Sequence, residues 1–556
     1  MSGERFPFSV AGMASGRSAS PSSRALLVAA LVLWASASLL RLSHFEGCSG
    51  LSYDDAAYAT SGKEMIEEGH GYWGDCWRPF ASWWVAALHL LRGVDVANTG
   101  LAFTLLRSFG ELWLILAVRW FFPASPWAPL GVAAVSACSF LGVNYGRQHL
   151  SSLLFTIPLA LLAYANFLRR GGWSRWAMCG FAAGLVFLSH FNTIAALAIM
   201  LALEGLRRWL SERRIGRVAV CLLIGAGVAY ATVGLLGLLS YGGNWKRYFK
   251  LVGNHMMENQ VRGRGIHWAG LDPSLLAAAS WEGALLLLYL AALAWGVRGI
   301  VVDRGERDRL LAVVGVPLLG GLLVAARASA GMLSFPRLYV FVLPFLWLLL
   351  GGAVGRVAER AASAGGARRG WVMAILLFAG ALAVQGGHLA MAARTDSANA
   401  ALGRWLRAHP TKKMAIYAGT PHLPPVFFGW RSQPPADTRE QSDRFWHVGG
   451  AAQADHVPAH LADPSRRVYL QRPDLPEVCD LVVLHKPSAR TLAHVEAALR
   501  TTAPGAFTTN FYDGTSLSLP LAADEGGALL GPLIVPDAGD SPLPMVRVWD
   551  LRGTRR

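Results

Sequence analysis

Long apolar runs separated by short polar gaps occupy most of the first 390 residues of this 556-residue chain. Most runs approach the ~20 residues that an α-helix needs to cross the hydrocarbon of a bilayer. The pattern predicts an α-helical polytopic membrane protein with eleven spans, or ten if a short pair is miscounted. The predicted spans are 25–42, 100–120, 127–145, 149–168, 176–190, 193–206, 218–240, 276–297, 310–326, 338–355 and 371–391.

Arginines are concentrated in the gaps after the fourth, sixth, eighth and tenth predicted spans. Short basic loops stay on the cytoplasmic side, so the N-terminus is predicted to be cytoplasmic. Loop 43–99, loop 241–275 and everything after about residue 392 then lie outside. A cleavable signal peptide with a small-residue site near Trp34–Ser38 is an open alternative for the first span. Either version leaves loop 43–99 on the outer side.

Composition agrees with a membrane protein, because 53% of the residues are hydrophobic and only 15% are charged. The formal net charge of +16 would suggest nucleic acid in a soluble protein. From residue 392 onward, however, 18 Lys and Arg face 16 Asp and Glu. The excess therefore lies between the apolar runs, where it acts as an orientation signal, and no nucleic-acid partner is expected.

Three regions follow from the pattern. Residues 1–24 are rich in Ser, Gly and Arg and are predicted to be a disordered cytoplasmic tail. Residues 25–391 form the transmembrane domain. Residues 392–556 are predicted to be a small α/β extracytoplasmic domain, because short β-prone runs alternate with helical ones. The predicted strands are Met414–Tyr417, Arg467–Leu470, Leu481–His485 and Val546–Trp549, and the predicted helices are Ala398–Ala408 and Arg490–Arg500.

The outer loop 43–99 is predicted to contain two helices. The first runs from Ala56 to Glu68 with Asp54 or Asp55 as its cap. The second begins at Pro79 and carries an apolar, tryptophan-rich stripe, which favours a position in the membrane interface or against the bundle. The stripe comprises Phe80, Trp83, Trp84, Ala87, Leu88 and Leu91. Cys48 and Cys76 share the loop, and both a disulfide and two free thiols stay open for them.

Two adjacent carboxylates just after a membrane span carry the first chemical signal. Asp54 and Asp55 repel each other beside a low-dielectric environment, which raises the proton affinity of such a pair. One of them is a candidate general base. The alternative is that one Asp caps a helix and the other is a solvated neighbour.

The strings Ser52–Ala59 and Cys76–Trp84 together resemble the first outer loop of GT-C glycosyltransferases that use lipid-phosphate sugars. Bacterial aminoarabinose transferases and protein O-mannosyltransferases are the most similar groups. The resemblance implies that Asp54, with Asp55 beside it, is catalytic and that Arg78 binds the lipid phosphate. Ala57 stands where relatives carry a basic residue before the tyrosine, here Tyr58.

A second departure is Trp77–Phe80, which replaces the Glu-Lys-Pro-Pro string of relatives and leaves the sugar and donor contacts open. Two later segments, Asn144–His149 and Pro336–Tyr339, resemble Tyr/Arg strings of the same family. For Arg147 and for Arg337, each taken alone, anchoring of the side chain at the membrane surface is an equal alternative to substrate binding. The substrate-binding residues that the resemblance implies are Arg78, Tyr58, Arg147, His149, Arg337 and Tyr339.

The implied activity is transfer of a hexose or pentose from a polyprenyl-phosphate carrier to a glycan, lipid or protein acceptor, with inversion. A bacterial inner membrane is the implied location. We expect no cofactor and no essential metal, although His255 and His267 lie in one outer loop. A transporter or flippase is the competing class, because Glu111, Glu204 and Glu282 fall within or near predicted spans. A non-catalytic assembly subunit is a third alternative.

Overall fold

The structure is a computed structural model. It describes residues 22–43, 53–67, 69, 79–190, 193–212, 215–240, 242–244, 246, 282–329, 336–395, 401–402, 405–406, 408–409, 414–417, 445–448, 480–485, 489–511 and 546–554. Several of the sequence predictions lie outside these ranges: Arg78, Cys48, Cys76, the predicted strand Arg467–Leu470 and nearly all of loop 241–275.

Helices account for almost all of the described membrane region. They are α1 Ser23–Leu42, α2 Tyr53–Glu67, α3 Pro79–Arg92, α4 Val96–Phe121, α5 Ala128–Cys138, α6 Phe140–Tyr145, α7 Ser151–Arg170, α8 Trp173–Ser189, α9 Ile194–Glu212, α10 Ile215–Ser240, α11 Ala284–Val302, α12 Arg304–Ser329 and α13 Leu343–Thr395. A 3₁₀ segment, Pro336–Val342, precedes α13.

Seven helical segments in the described ranges are long and apolar enough to cross a bilayer. They coincide with seven of the eleven predicted spans: Ser23–Leu42, Ala97–Phe121, Ser151–Arg170, Val218–Ser240, Ala284–Val302, Tyr339–Ala364 and Arg368–Ala390. Helices α8, α9 and α12 occupy three further predicted spans. Helix α8 falls short of that test because it has only 17 residues, and α9 falls short because Glu204, Arg207 and Arg208 lie within it.

The predicted span 127–145 is wrong as a single helix. Helix α5 ends at Cys138, and α6 begins at Phe140 after an extended Ser139 with ψ 115°. The Ser139 hydroxyl accepts a hydrogen bond from the Gly142 backbone N–H at 3.0 Å, as serine does when it caps a new helix. The hydropathy pattern missed this break because both halves are apolar.

The last two spans are contained in α13, whose backbone is helical from Leu343 to Thr395. A straight helix would separate Trp347 from His388 by roughly 60 Å. Instead Trp347 lies against Gly142, and His388 packs edge-on to Phe140 with ring centroids 5.1 Å apart. The chain therefore reverses direction between the two spans, and both of these residues lie at the α6 end of the bundle.

Close backbone approach brings α5 and the first half of α13 together. A Cβ on Gly351 would lie 2.6 Å from the Val132 backbone N, and one on Gly355 would lie 2.6 Å from the Ala128 backbone N. Glycines four residues apart allow transmembrane helices to pack at such short range. This contact holds α5, and therefore the break that follows it, in a fixed position.

Two arginines and one carboxylate are buried together inside the helical bundle. Arg41 of α1 pairs with Glu111 of α4 at 2.5 Å, and Arg107 pairs with the same carboxylate at 3.0 Å. Gln385 donates to the Ala37 carbonyl at 2.7 Å and accepts from Arg41 at 3.3 Å. Because charges in hydrocarbon need partners, this cluster ties the first span, the second span and the end of α13 to one another.

A five-stranded mixed sheet forms part of the C-terminal region, in the order β2-β1-β3-β5-β4. The strands are β1 Met414–Tyr417, β2 Phe445–Val448, β3 Leu481–His485, β4 Phe507–Phe511 and β5 Val546–Asp550, with helix α14 Ala489–Thr502 between β3 and β4. Strand β1 pairs in parallel with β2 and β3, while β5 pairs antiparallel with β3 and β4. Three predicted strands and helix 490–500 are confirmed, whereas β2 and β4 were missed.

His89 at the end of α3 supports a pH prediction. Its Nε2 lies 3.1 Å from the Asp95 carbonyl, and burial lowers the pKa of His89 to about 4, against the smaller opposing effect of Asp95. The unfolded pKa is near 6.5, so between these values the unfolded state binds more protons than the folded state. Stability should fall by roughly 3 kcal/mol at most as the pH drops from about 6.5 to about 4.

The measurement is the apparent melting temperature of purified protein at pH 7.5 and pH 4.5. The His89→Asn variant keeps a donor for the Asp95 carbonyl but stays neutral at both pH values. Its melting temperature should therefore fall less on acidification than that of the wild type. The carboxylates of the protein titrate equally in both proteins and therefore contribute equally to the two losses. An equal acid-induced loss in the two proteins would show that His89 makes no such contribution.

Candidate functional site

Helix α2 carries the predicted carboxylates, and its start differs from the prediction. The helix begins at Tyr53, so Asp54 and Asp55 lie in its first turn and neither is the N-cap of a helix starting at Ala56. Residues four apart share a helix face, so position 54 lies on the same face as Tyr58. Position 55 is rotated about 100° away.

The described residues in the middle of α2 are buried, although several of them are polar or charged. Tyr58 and Ser61 are 1% exposed, and so is Glu64, while Lys63 is 2% exposed. Lys63 donates to Glu67 at 2.7 Å. Gly62 allows α3 to approach, since a Cβ there would lie 2.7 Å from a methyl carbon of Val85. Two buried charges on an enclosed helix fix its rotation and depth.

Tyr58 and His149, two of the predicted substrate-binding residues, are in direct contact. Their rings stack with centroids 5.0 Å apart and an interplanar angle of 19°. Phe103 of α4 packs edge-on against Tyr58 at 6.3 Å. The stack joins α2 to the turn that connects α6 with α7. It brings together two sequence segments that lie about 90 residues apart.

That turn holds Arg147, which is 2% exposed and lies two residues before His149. The preceding Gly146 has ordinary helical φ and ψ of −69° and −7°, but a side chain there would overlap Arg107. The turn between α6 and α7 is therefore pressed directly against the buried ionic cluster. We call residues 144–149 the outer turn, after the side of the membrane on which the sequence predicts them to lie.

The 3₁₀ segment Pro336–Val342 packs beside α6 and α7, next to the outer turn. Tyr339 is 6% exposed within it, and Arg337 lies on the same segment, although its side chain is not among those the structure describes. The structure thus gathers three sequence-predicted pieces at the α6 end of the bundle: α2, the outer turn and this segment.

Helix α3 begins at Pro79 as predicted, with Arg78 immediately before it. Its predicted apolar stripe divides between two environments. Phe80 is buried and stacks on Phe155 of α7, with centroids 5.7 Å apart. Leu91 is 80% exposed. The N-terminal half of α3 therefore packs on the bundle, and the exposed leucine near its C-terminus provides a contact for lipid.

Sequence reasoning named Glu111 and Glu282 only as carboxylates within or near spans, and it did not single out Arg107 or place these residues beneath the outer turn. Arg107 and Glu111 stand four apart within an apolar span, a spacing that places opposite charges on one helix face. That spacing was the available signal for a buried pair. Within the described ranges, no three His, Cys, Asp or Glu side chains come together as metal ligands.

Among solved structures, the chain is similar to ArnT from Cupriavidus metallidurans bound to undecaprenyl phosphate. The TM-score is 0.56 at 14% sequence identity, over 86% of this chain and 95% of ArnT. The apo state of that protein gives a TM-score of 0.55. This chain has a GT-C fold. The fold that the sequence resemblance implied is thereby confirmed.

Two other structures were found with lower similarity. The Archaeoglobus fulgidus oligosaccharyltransferase, in complex with zinc and sulfate, gives a TM-score of 0.47 at 12% identity, over 82% of this chain and 68% of that one. The mycobacterial arabinofuranosyltransferase AftD gives 0.48 at 16% identity, over 97% of this chain and 40% of AftD. No protein-family model matches the chain, and no curated protein matches it by sequence.

The GT-C fold and the seven apolar spans establish an integral membrane protein. In such a bundle, backbone polar groups are satisfied within helices, and irregular backbone is tolerated only where protein or water surrounds it. The Ser139 break and the outer turn are two described irregular segments that meet this condition. Both are buried, and the outer turn contains the predicted residues Arg147 and His149.

Proposed function

We propose that this GT-C protein transfers a sugar from a polyprenyl-phosphate donor to a glycan, lipid or protein acceptor on the outer face of the membrane. The observation that carries the proposal is the Tyr58–His149 stack. It joins the helix bearing Asp54 to the turn bearing Arg147, so a carboxylate position and a cation lie on elements in direct contact. The ArnT structure with undecaprenyl phosphate supports a lipid-phosphate donor.

In this mechanism, the carboxylate of Asp54 accepts the proton of the acceptor hydroxyl as its oxygen attacks the anomeric carbon. The bond from that carbon to the lipid phosphate breaks, and the phosphate leaves with the electron pair. Attack from the face opposite the phosphate inverts the configuration. Arg78, together with Arg147 and Arg337, stabilises the phosphate charge, and partial burial strengthens that attraction.

Tyr58, His149 and Tyr339 have aromatic rings, and they complete the proposed substrate-binding set. Because the Tyr58 and His149 rings stack on each other, their polar atoms rather than their ring faces are the groups proposed to bond to sugar hydroxyls. Asp55 lies next to Asp54 and is the second acid of the proposed catalytic pair.

The same proposal includes topology and domain organisation. Residues 1–24 are a cytoplasmic tail, residues 25–391 are the transmembrane domain with a catalytic outer loop at 43–99, and residues 392–556 are an extracytoplasmic α/β domain. The membrane is proposed to be a bacterial inner membrane. The five-stranded sheet with α14 supports the α/β assignment of the last region.

Transport is less well supported, because the carboxylates that suggested it are engaged with the protein. Glu111 pairs with Arg41 and Arg107. Glu204 pairs with Arg207 and Arg208 and accepts from Tyr164 at 2.8 Å. Carboxylates with internal partners of this kind stabilise helix packing, whereas ion or proton pathways need groups that exchange their partners.

The test supplies membranes containing the protein with a mixed pool of radiolabelled polyprenyl-phosphate sugars and follows label into lipid-, glycan- or protein-sized products. Transfer above that of membranes lacking the protein establishes the reaction class and identifies the sugar. No transfer across a broad pool of donors and acceptors would contradict the proposal.

Arg78→Gln should raise the KM for the lipid donor by about 10- to 100-fold and lower kcat less, because the guanidinium binds phosphate in the ground state and in the transition state. The matched control is Arg92→Gln at the other end of α3. Arg92 donates to the Asn98 side chain at 3.1 Å and has no role in the proposed site. Equal KM values for the wild type and Arg78→Gln would remove Arg78 from the phosphate site.

A further inference from the structure

We propose that Arg107 and Glu282 are positioning residues, which hold the break between α5 and α6 and thereby place Arg147 and His149 for the lipid phosphate. This inference rests on the proposed function. Neither residue stands in a string that resembles the family motifs, and both lie beneath the outer turn.

Arg107 binds both sides of the break. Its guanidinium donates to the Ser136 carbonyl near the end of α5 at 3.0 Å, and to the Gly142 carbonyl in α6. The Ser136 carbonyl lies where the α5 helix loses its regular hydrogen bonds, whereas the Gly142 carbonyl also accepts from the Gly146 N–H at 2.9 Å. A third donor of the same guanidinium, Nε, binds Glu111 at 3.0 Å, and the one negative charge of Glu111 is shared between Arg107 and Arg41.

Glu282 accepts hydrogen bonds from donor groups at the same break. One carboxylate oxygen accepts from the Leu141 backbone N–H at 2.7 Å and from the Ser139 hydroxyl at 3.0 Å. The other oxygen accepts from the Tyr289 hydroxyl at 3.0 Å. Arg107 therefore binds carbonyls while Glu282 binds an N–H group, so a side chain of α4 and one from just before α11 both bond to the backbone around the break.

The effect reaches the outer turn through direct contact. The Arg107 side chain occupies the space that a Cβ on Gly146 would need. Arg147 is the next residue, and His149 stacks on Tyr58. Helix α6 has only six residues, so a shift at the break moves the outer turn almost without attenuation. A displacement of about 1 Å is enough to lower the activity of a site by two orders of magnitude.

The experiment uses the full-length protein in lipid nanodiscs and measures the equilibrium binding of radiolabelled undecaprenyl phosphate. The variants are Arg107→Gln, Arg147→Gln, the double variant and Gly146→Ala. The last keeps every charge and crowds the Arg107 side chain together with the Gly142 carbonyl that Arg107 binds. The control is Glu204→Gln, which also weakens a buried ion pair but lies among helices α7 and α9, away from the outer turn.

Arg107→Gln and Gly146→Ala should each weaken binding about tenfold, while Glu204→Gln should bind as the wild type does. Because Arg107 acts through Arg147, the double variant should bind no more weakly than Arg147→Gln alone. A structural role of Arg107 that does not pass through Arg147 gives additive losses instead, and so overturns the inference.

Other outcomes separate the two proposals. If the wild type binds undecaprenyl phosphate and Arg107→Gln or Arg147→Gln binds it equally well, the positioning role is overturned. The proposed function then stays in place. Absence of binding by the wild type removes the lipid-phosphate donor itself, and the inference falls with it. Melting curves measured in parallel show whether each variant is folded. If Arg107→Gln does not fold, the binding measured for Gly146→Ala tests the positioning role instead.

Discussion

Asp54→Asn should reduce sugar transfer roughly 10²- to 10⁴-fold, the usual range for loss of a general base. Asparagine keeps the size of the side chain but cannot accept the proton of the acceptor hydroxyl. Donor binding should change little, since the base acts on the acceptor. The measurement is the initial rate of label transfer at saturating donor, together with binding of undecaprenyl phosphate to the same variant.

Asp55→Asn is the matched control for Asp54. The two acids are neighbours in the first turn of α2, but position 55 is rotated about 100° from the face that bears Tyr58. The change should therefore reduce transfer much less than Asp54→Asn does. Equal losses in the two variants would show that the acids act as a coupled pair, and full activity of Asp54→Asn would assign the proton transfer elsewhere.

Glu111→Gln should produce the largest loss of stability. Glu111 is the partner of two fully buried arginines, so its neutralisation leaves two cations in the bundle without that counter-charge. Removing one side of a buried ion pair typically costs 3–5 kcal/mol, because the remaining charge stays desolvated. The apparent melting temperature in detergent and the amount of protein recovered from membranes measure this effect.

Glu306→Gln serves as the comparison for Glu111. Glu306 pairs with Arg356, but the two side chains retain 15% and 29% exposure. Water and lipid headgroups reach such a pair, so its loss should cost about 1 kcal/mol or less. Melting temperatures that drop equally in the two variants would contradict the special position of Glu111.

Periodicity and the positive-inside rule predicted most of the helices because each apolar run carries its own length and its own flanking charges. They failed at Ser139, since nothing in hydropathy distinguishes one apolar helix from two that meet at a capped turn. They also gave no indication that the charged residues of α2 are buried. The burial of Lys63 and Glu64 arises from neighbouring helices that are distant in sequence.

The candidate site shows the same division. The Asp54, Tyr58 and Arg78 pattern was recognisable because the residues are close along the chain. The contact of Tyr58 with His149, and of Arg107 with Gly146, depends on how α2, α4 and α6 pack. In the sheet, β2 and β4 were missed because strands of four or five residues carry too little alternation to stand out from loops.

The bond from Gln385 to the Ala37 carbonyl has a consequence for the order in which the protein is made. Its two ends are 348 residues apart, so at 5–20 residues per second the first span waits roughly 20 to 70 s for its last partner. Glu111 is made only 70 residues after Arg41 and can pair with it early. The early pair keeps the arginine tolerable in lipid, and the final span then closes the bundle.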